Sequence, residues 1–183
     1  MHKEFKRSVL SMTPRVYIRK VRIEDKEELL KLTRVSREMH EPWISPPLNN
    51  ASFHSYINRT ETDDHEGFVL CLKTSDVIIG VINVNNIVKG SFRNASLGYY
   101  VGSKHFGNGY MEEGLILVTE YAFKTLSLHR LEANVQPDNQ KSIELVKRCG
   151  FRKEGIAEAF LFIDGEWKDH ERWAITDPRT TLM

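Results

Sequence analysis

The strongest constraint on the fold is a junction at which an apolar strand passes through two closely spaced glycines into a helix. Residues 97–101 predict the strand, and Gly107 and Gly109 follow it within residues 104–109. The next segment carries apolar residues at helical spacing on one face: Met111, Leu115, Val118 and Ala122. A change of hydrophobic period from two to about 3.6 across a short glycine loop predicts a strand–loop–helix unit of a mixed α/β domain.

This junction has the chemistry of an anion site. The first turn of a helix has unpaired N–H groups and the positive end of the helix dipole, which favour phosphate. Glycine lets the backbone approach an anion without interference from a Cβ atom. A dinucleotide fingerprint requires a third glycine where Glu112 stands, and a P-loop requires Gly-Lys-Ser/Thr where Gly114 precedes Leu115. The loop therefore matches neither the dinucleotide fingerprint nor the P-loop. By itself it is compatible with a plain turn and with a phosphate cradle.

The rest of the chain predicts a single mixed α/β domain over residues 1–183, with residues 1–13 as a flexible N-terminal extension. Strands are predicted at 16–18, 68–72, 77–84, 131–135, 160–163 and 167–175. Three further helices are predicted. One begins near Asp25, a short one follows a possible cap at Ser52, and the third is capped by Asp138-Asn139 and ends at Gly150. Asp164-Gly165 predicts a hairpin turn between the last two strands.

Composition excludes several classes of protein. Lys and Arg number 26 against 25 Asp and Glu, a net charge of +1 that gives no general footprint for nucleic acid. No segment approaches the roughly 18 apolar residues of a membrane span. Cys71 and Cys149 are too few for a disulfide framework, and no histidine spacing indicates a metal site. We therefore expect a cytoplasmic protein without a metal, a membrane association or a direct nucleic-acid partner.

Several ordered motifs together resemble one family. The spacing Lys104-x-x-Gly107-x-Gly109 resembles the pyrophosphate loop of the GNAT acetyltransferase superfamily, and two later blocks are similar to its next strand–helix–strand unit: Pro137-x-Asn139-x-x-Ser142 and Gly150-Phe151-x-x-Glu154-Gly155. Four further motifs are similar to the ribosomal-protein-alanine N-acetyltransferases of the RimJ/RimL type: Ile79-Gly80-Val81, Val88-Lys89-Gly90-Ser91-Phe92, Leu97-Gly98-Tyr99 and Asp164-Gly165-x-Trp167-x-Asp169-His170. The resemblance runs from about Val16 to Ala174.

The resemblance implies a single domain with a largely antiparallel mixed sheet, central splayed strands and flanking helices. It also implies an acyltransferase that uses acetyl-CoA, with the pantetheine arm in the gap beside the strand at 97–101 and the pyrophosphate on amides of residues 106–111. The implied acetyl-CoA-binding residues are Tyr99, Tyr100, Val101, Lys104, Phe106, Gly107, Asn108, Gly109, Tyr110, Met111, Asn139 and Ser142.

The chain departs from the superfamily where catalysis is concerned. The tyrosine that many members carry four residues before the Gly-Phe pair is Val146 here, which makes Ser142 the candidate acid. A strand position that often offers a carboxylate base holds Leu97. The base therefore stays open, with four candidates: Asp169, His170, Glu41 and Glu112.

Each candidate has a structural alternative. Ser142 is also a natural residue for the first turn of a helix, and Asn139 is also a natural N-cap. Asp169 and His170 also suit an exposed strand end, and Glu112 also favours the helix dipole. Glu41 and Trp43, beside three prolines, are predicted to line the acceptor site or to form a rigid packed loop.

The resemblance implies acetylation of a protein N-terminal α-amine, with a ribosomal protein that begins with alanine as the first expectation. Two alternatives stay open: acetylation of a small amine such as a polyamine, amino acid or drug, and a CoA-binding, ribosome-associated module with little activity. A monomer and a homodimer are both compatible with the sequence.

Overall fold

The computed structural model describes residues 9–179. It contains eight strands: β1 (Ser11–Met12), β2 (Val16–Lys20), β3 (Glu66–Leu72), β4 (Ile78–Val88), β5 (Asn94–Val101), β6 (Arg130–Val135), β7 (Arg152–Ile163) and β8 (Glu166–Thr176). The α-helices are α1 (Lys26–Val35), α2 (Arg37–His40), α3 (Asn50–Thr60), α4 (Tyr110–Lys124) and α5 (Gln140–Arg148). Short 3₁₀ turns occur at Ile23–Asp25 and Ser103–His105. None of the helices within residues 9–179 is long and apolar enough to cross a membrane.

All eight strands form one sheet in the order β1-β2-β3-β4-β5-β6-β8-β7. Neighbouring strands are antiparallel except β5 and β6, which are parallel. Parallel neighbours need a crossover, and here the glycine loop and α4 supply it. The predicted mixed, largely antiparallel sheet with flanking helices is confirmed.

Helices cover both faces of this sheet. On one face, α4 and α5 bury residues such as Leu115, Val118 and Ile143 against the strands. On the other face, α1 and α3 bury Leu30 and Phe53. The interior strand β3 is therefore apolar at consecutive positions, because its alternate side chains enter two separate cores.

Two local predictions are corrected by the structure, and part of a third lies outside the described residues. Helix α3 begins one turn before the predicted position: Asn49 is its N-cap and accepts from the Ser52 amide at 2.9 Å, so Ser52 is the third helical residue and not the cap. Strand β7 begins at Arg152 and not at 160, since it continues through two irregularities in its pairing with β8. In the predicted N-terminal extension, residues 1–8 lie outside the described residues, whereas Ser11–Met12 pair with β2 as an edge strand.

Candidate active site

The central feature of the site is the divergence of β5 and β6. Their parallel pairing covers only Asn94 to Ser96 on β5, and beyond Ser96 the two strands separate. A cleft of about 960 Å³ lies beside the unpaired end of β5 and includes Tyr99, Tyr100 and Val101 among its lining residues. The backbone edge of β5 that faces the gap is thus open to hydrogen-bond a ligand, as the resemblance implied for a pantetheine arm.

The glycine loop forms the next wall of the cleft. Gly107 has φ = 80° and Gly109 has φ = 77°, which is the left-handed region that favours glycine. Gly109 is the N-cap of α4, so the first amides of the helix face the loop without helical partners. The Asn108 side-chain amide donates to the His105 and Phe106 carbonyls at 3.2 and 3.3 Å. The loop therefore has the geometry of an anion cradle and is more than a plain turn.

Arg15 braces this loop from β2 and was missed by the sequence analysis. Its guanidinium donates to Glu113 on α4 at 2.5 Å and to the Asn108 carbonyl at 3.1 Å. It also lies over the Tyr110 ring, 4.9 Å from the centroid. No local pattern could have identified Arg15, because its partners are more than 90 residues away.

Two hydroxyl groups meet where the large cleft adjoins the gap between β5 and α5. The Tyr99 hydroxyl lies 2.6 Å from the Ser142 Oγ. Burial raises the pKa of Tyr99 well above its usual value, so the phenol is protonated throughout the neutral range. Either hydroxyl can donate in this contact, and when the phenol donates to Ser142 the serine proton is free to point elsewhere.

Helix α5 holds Ser142 in place. The Asn139 Oδ1 accepts from the Ser142 amide at 3.1 Å, which is the predicted N-cap bond. Val146, at the position where many family members have a tyrosine, is completely buried in the core. In this chain the phenol beside Ser142 comes from β5 and not from α5.

His40 ties α2 to the end of β5. Its Nε2 lies 2.8 Å from the Val101 carbonyl oxygen, and its ring packs edge-on against Tyr100 at 5.2 Å. Because a carbonyl only accepts, Nε2 carries the proton. Burial lowers the pKa of His40, and the bond to Val101 offsets part of that effect. A neutral His40 thus fixes the strand end that precedes the glycine loop.

A second cavity, of about 110 Å³, adjoins the large cleft at Tyr99 and Ser142, which line both. Trp43 and Ile44 from the proline-rich loop also line both. The other residues of this smaller cavity come mainly from the diverging strands and from β8: Leu97, Gly98, Asn134, Val135, Gln136, Asn139 and His170. None of the described residues that line it carries a carboxylate.

His170 lines this smaller cavity and is only 2% exposed. Its Nδ1 lies 3.0 Å from the Lys168 carbonyl oxygen, so Nδ1 carries the proton in the neutral ring. The lone pair is then on Nε2. This arrangement has the features of a general base whose tautomer is set by the backbone.

The carboxylates that were predicted as candidate bases lie outside the smaller cavity. Asp169 points away from His170, because successive residues of a strand face opposite sides, and its Oδ1 accepts from the Ala159 amide at 2.8 Å. Glu41 pairs with Arg37 at 2.7 Å, and Glu112 accepts from Arg148 at 2.7 Å; both glutamates line the large cleft but not the smaller cavity. Trp43 and Glu41, which were predicted to line the acceptor site or to form a rigid packed loop, line the large cleft.

Most residues predicted to bind acetyl-CoA are brought together. Those that line the large cleft are Tyr99, Tyr100, Val101, Phe106, Gly107, Gly109, Tyr110, Met111, Asn139 and Ser142. Lys104 and Asn108 are not among its lining residues. Two cations of α5, Lys141 and Arg148, do line it and were missed. Their spacing of seven residues, which places both on one helix face beside the glycine loop, was an available signal.

The residues present fit acetyl-CoA. A Cβ atom built on Gly107 would meet no atom within 4 Å, so the loop is open to a ligand. Lys141, whose ammonium lies 4.7 Å from the centroid of the Phe106 ring, supplies positive charge next to it, whereas Arg148 is paired with Glu112. The open edge of β5 offers hydrogen bonds for an extended amide chain. Within residues 9–179, no group of three or more His, Cys, Asp or Glu side chains is arranged to hold a metal ion.

This combination of a splayed sheet, a glycine loop at a helix start and a cleft between them is that of an acetyltransferase. The family model described as an acetyltransferase (GNAT) domain matches residues 15–152, and the chain belongs to this family. It is an acetyl-CoA-dependent N-acetyltransferase.

Three relatives are similar to most or to about half of this chain. The probable N-acetyltransferase YjcK of Bacillus subtilis is 33% identical over 171 residues, which cover 89% of this chain and 94% of that one. The [ribosomal protein uS5]-alanine N-acetyltransferase of Escherichia coli is 46% identical over 104 residues, only 57% of this chain and 54% of that one. A spermidine N(1)-acetyltransferase of Vibrio cholerae is 29% identical over 98 residues, 54% of each chain.

Among solved structures, Mycobacterium smegmatis RimJ in complex with CoA-disulfide is similar to this chain with a TM-score of 0.80 and 28% identity, over 92% of this chain and 84% of that one. The predicted resemblance to the RimJ/RimL type is therefore confirmed.

Proposed function

We propose that this enzyme acetylates the N-terminal α-amine of a protein, with a ribosomal protein that begins with a small residue as the first candidate. The observation that carries the proposal is the smaller cavity. It adjoins the Tyr99–Ser142 pair, has a volume of about 110 Å³ and has no carboxylate among its described lining residues. Such a cavity suits a small acceptor group that reacts as a neutral amine.

The cost of obtaining a neutral amine distinguishes acceptor classes. An α-amine has a pKa near 7.7–8.0, so deprotonating it at pH 7 costs about 1 kcal/mol. The amine of a lysine or an alkylamine, with a pKa near 10.4, costs roughly 4.6 kcal/mol. A site without a carboxylate does not stabilise an ammonium group on arrival, and this favours the less basic α-amine.

In this proposal the large cleft binds acetyl-CoA, which supplies an activated acetyl group. The open edge of β5 at Tyr99, Tyr100 and Val101 holds the pantetheine arm, and amides of residues 106–111 hold the pyrophosphate. Lys141 adds positive charge for the phosphates, while Arg148 is paired with Glu112. Asn139 contributes its side-chain amide while its oxygen caps α5.

His170 acts as the base. As the acceptor nitrogen forms its bond to the thioester carbonyl carbon, its proton passes to the Nε2 of His170, directly or through one water. No enzyme nucleophile takes part, because an amine attacks a thioester directly. Trp43 packs against the acceptor from the loop that follows α2.

Ser142 acts as the acid. When the carbon–sulfur bond breaks, the Ser142 hydroxyl donates its proton to the thiolate and regains one from the His170 imidazolium, which lines the same smaller cavity, directly or through water. A hydrogen bond with the Tyr99 phenol, 2.6 Å away, supports the serine oxygen during this step. The pair thereby takes the role that a tyrosine at position 146 has in many family members.

Acetylation of a small polyamine is the second candidate. Glu38 and Glu41 line the large cleft near the acceptor side and attract cations. A CoA-binding module with little activity is the third candidate. The role of His170 as a base, which we propose, weighs against this candidate.

A thiol-release assay with acetyl-CoA tests the proposal. The acceptors are a peptide that begins with alanine, the same peptide with a blocked N-terminus and an internal lysine, and spermidine, and mass spectrometry locates the acetyl group. We expect turnover on the free α-amine only. Preference for spermidine would assign a polyamine acceptor, and tight acetyl-CoA binding without turnover on any acceptor would favour the non-catalytic module.

A further inference from the structure

Asn134 carries an unused hydrogen-bond acceptor beside the proposed reaction centre. Its side-chain Oδ1 is buried and has no hydrogen-bond partner within residues 9–179. Buried polar atoms are nearly always paired, so an unpaired one at a cavity is available to a ligand or a water molecule. Asn134 is one of the residues that line the smaller cavity.

The position of Asn134 follows from the alternation of β6. Ala133 and Val135 pack into the core that contains α4 and α5, so Asn134 faces the opposite side of the sheet. Ser142 belongs to α5 and therefore approaches the gap from the first side. The smaller cavity thus connects the two faces at the point where β5 and β6 have separated, with the proposed acid on one side and Asn134 on the other.

We propose that the side-chain oxygen of Asn134 accepts a hydrogen bond from the acceptor amine and holds its lone pair toward the thioester. Rotation of the amide about χ2 turns this oxygen to the cavity without moving the backbone. The inference rests on the proposed function in so far as it requires an amine acceptor. Asn134 is then an acceptor-binding residue, and because it is neutral it favours an uncharged amine.

The charged and titratable groups around Asn134 come from three strands. His170 and Tyr99 line the same cavity. On the face of Asn134, Arg172 is its cross-strand partner on β8, and Glu132 lies two residues earlier on β6. Glu132 pairs with Arg172 at 2.6 Å and with Arg130 at 3.0 Å, and Arg130 also pairs with Glu154, so the charges of these two arginines and two glutamates offset one another.

Three variants test this role, with Asn94→Ala as the matched control. Asn94 also has a buried Oδ1 without a partner within residues 9–179, but it lines neither cavity. We expect Asn134→Ala to raise the KM for the amine about tenfold or more and to leave the acetyl-CoA dissociation constant within about twofold. Asn94→Ala should change neither quantity by more than about twofold.

Asn134→Asp distinguishes an acceptor-binding role from a packing role, because a packing role predicts no change in acceptor preference or in the pH profile. It keeps the size of the side chain but adds a negative charge, which stabilises an ammonium group. We expect its pH profile for the alanine peptide to shift to higher pH and its relative kcat/KM for spermidine to rise at least about threefold. An unshifted profile, or an Asn134→Ala variant that matches Asn94→Ala in amine KM, overturns the proposal.

The wild-type enzyme separates this proposal from the proposed function. If it acetylates spermidine and not the peptide, the assignment of an α-amine fails, and Asn134→Ala is then measured on spermidine. A raised spermidine KM with unchanged acetyl-CoA binding supports Asn134 as the acceptor-binding residue, and an unchanged KM overturns it. If no amine is acetylated, both proposals fail.

Discussion

The Tyr99 hydroxyl on β5 lies 2.6 Å from the Ser142 hydroxyl on α5, across the gap where the sheet divides. This contact joins the strand that we propose holds the pantetheine arm to the helix that carries the proposed acid. In the mechanism that we propose, it takes the place of the tyrosine that is absent at Val146. Tyr99 and Ser142 are 43 residues apart in the sequence.

We expect Ser142→Ala to lower kcat by about 10- to 100-fold, because the thiolate then leaves without its proton donor. Tyr99→Phe should lower kcat by a smaller factor, and the double variant should be no slower than Ser142→Ala, since the two hydroxyls act as a unit. Steady-state kinetics measures these effects, with acetyl-CoA affinity by calorimetry as the control. Multiplicative losses in the double variant would contradict the coupling.

His170 and Asp169 form a test within one strand. We expect His170→Gln to lower kcat/KM about 100-fold, because the proton acceptor is lost. Asp169→Asn should leave kcat within about threefold, because Asp169 hydrogen-bonds the Ala159 amide and lines neither cavity. Equal losses in the two variants would show that the loss comes from the hairpin and not from a base.

Gly107→Ala and Gly165→Ala separate backbone strain from ligand binding. The two glycines have φ angles of 80° and 83°, and a Cβ atom on either would meet nothing within 4 Å. Each variant should therefore lose about 1 kcal/mol of stability through the left-handed backbone. Only Gly107→Ala should weaken acetyl-CoA binding, by about tenfold, as measured by calorimetry. Equal affinities in both variants would remove the glycine loop from the binding site.

His40 should make the stability of the fold depend on pH. Burial lowers its pKa in the folded state, so the unfolded chain, with a pKa near 6.5, binds the proton more tightly. Its contribution is therefore complete above about pH 6.5 and is lost as the pH falls through and below that value. Urea unfolding of the wild type and of His40→Gln should show a stability difference that shrinks from pH 8 to pH 5. A constant difference would contradict a buried neutral His40.

Much of the site was predictable because it depends on local sequence. The turn at Gly107 and Gly109, the N-cap at Asn139 and the strand at 131–135 follow from backbone preferences and from alternation of neighbouring residues. The same alternation already implies that Asp169 and His170 face opposite sides, although their pairing as catalytic candidates overlooked it.

Other parts of the site required the folded chain. Arg15 reaches Glu113 on α4, and His40 reaches Val101 on β5, through contacts that no spacing rule describes. The burial of the Asn134 oxygen also depends on where β6 parts from β5, which is a property of two strands and of the helix between them.

The sequence by itself determined the class of fold, the family and the glycine loop, because each rests on residues that are neighbours along the chain or on motifs in a set order. Only the tertiary structure decided which hydroxyl meets Ser142, which of the adjacent Asp169 and His170 enters the cavity, and that no carboxylate is among the described residues of the smaller cavity. Those outcomes depend on how distant segments return to one another, and that is set by the packing of two cores against one sheet.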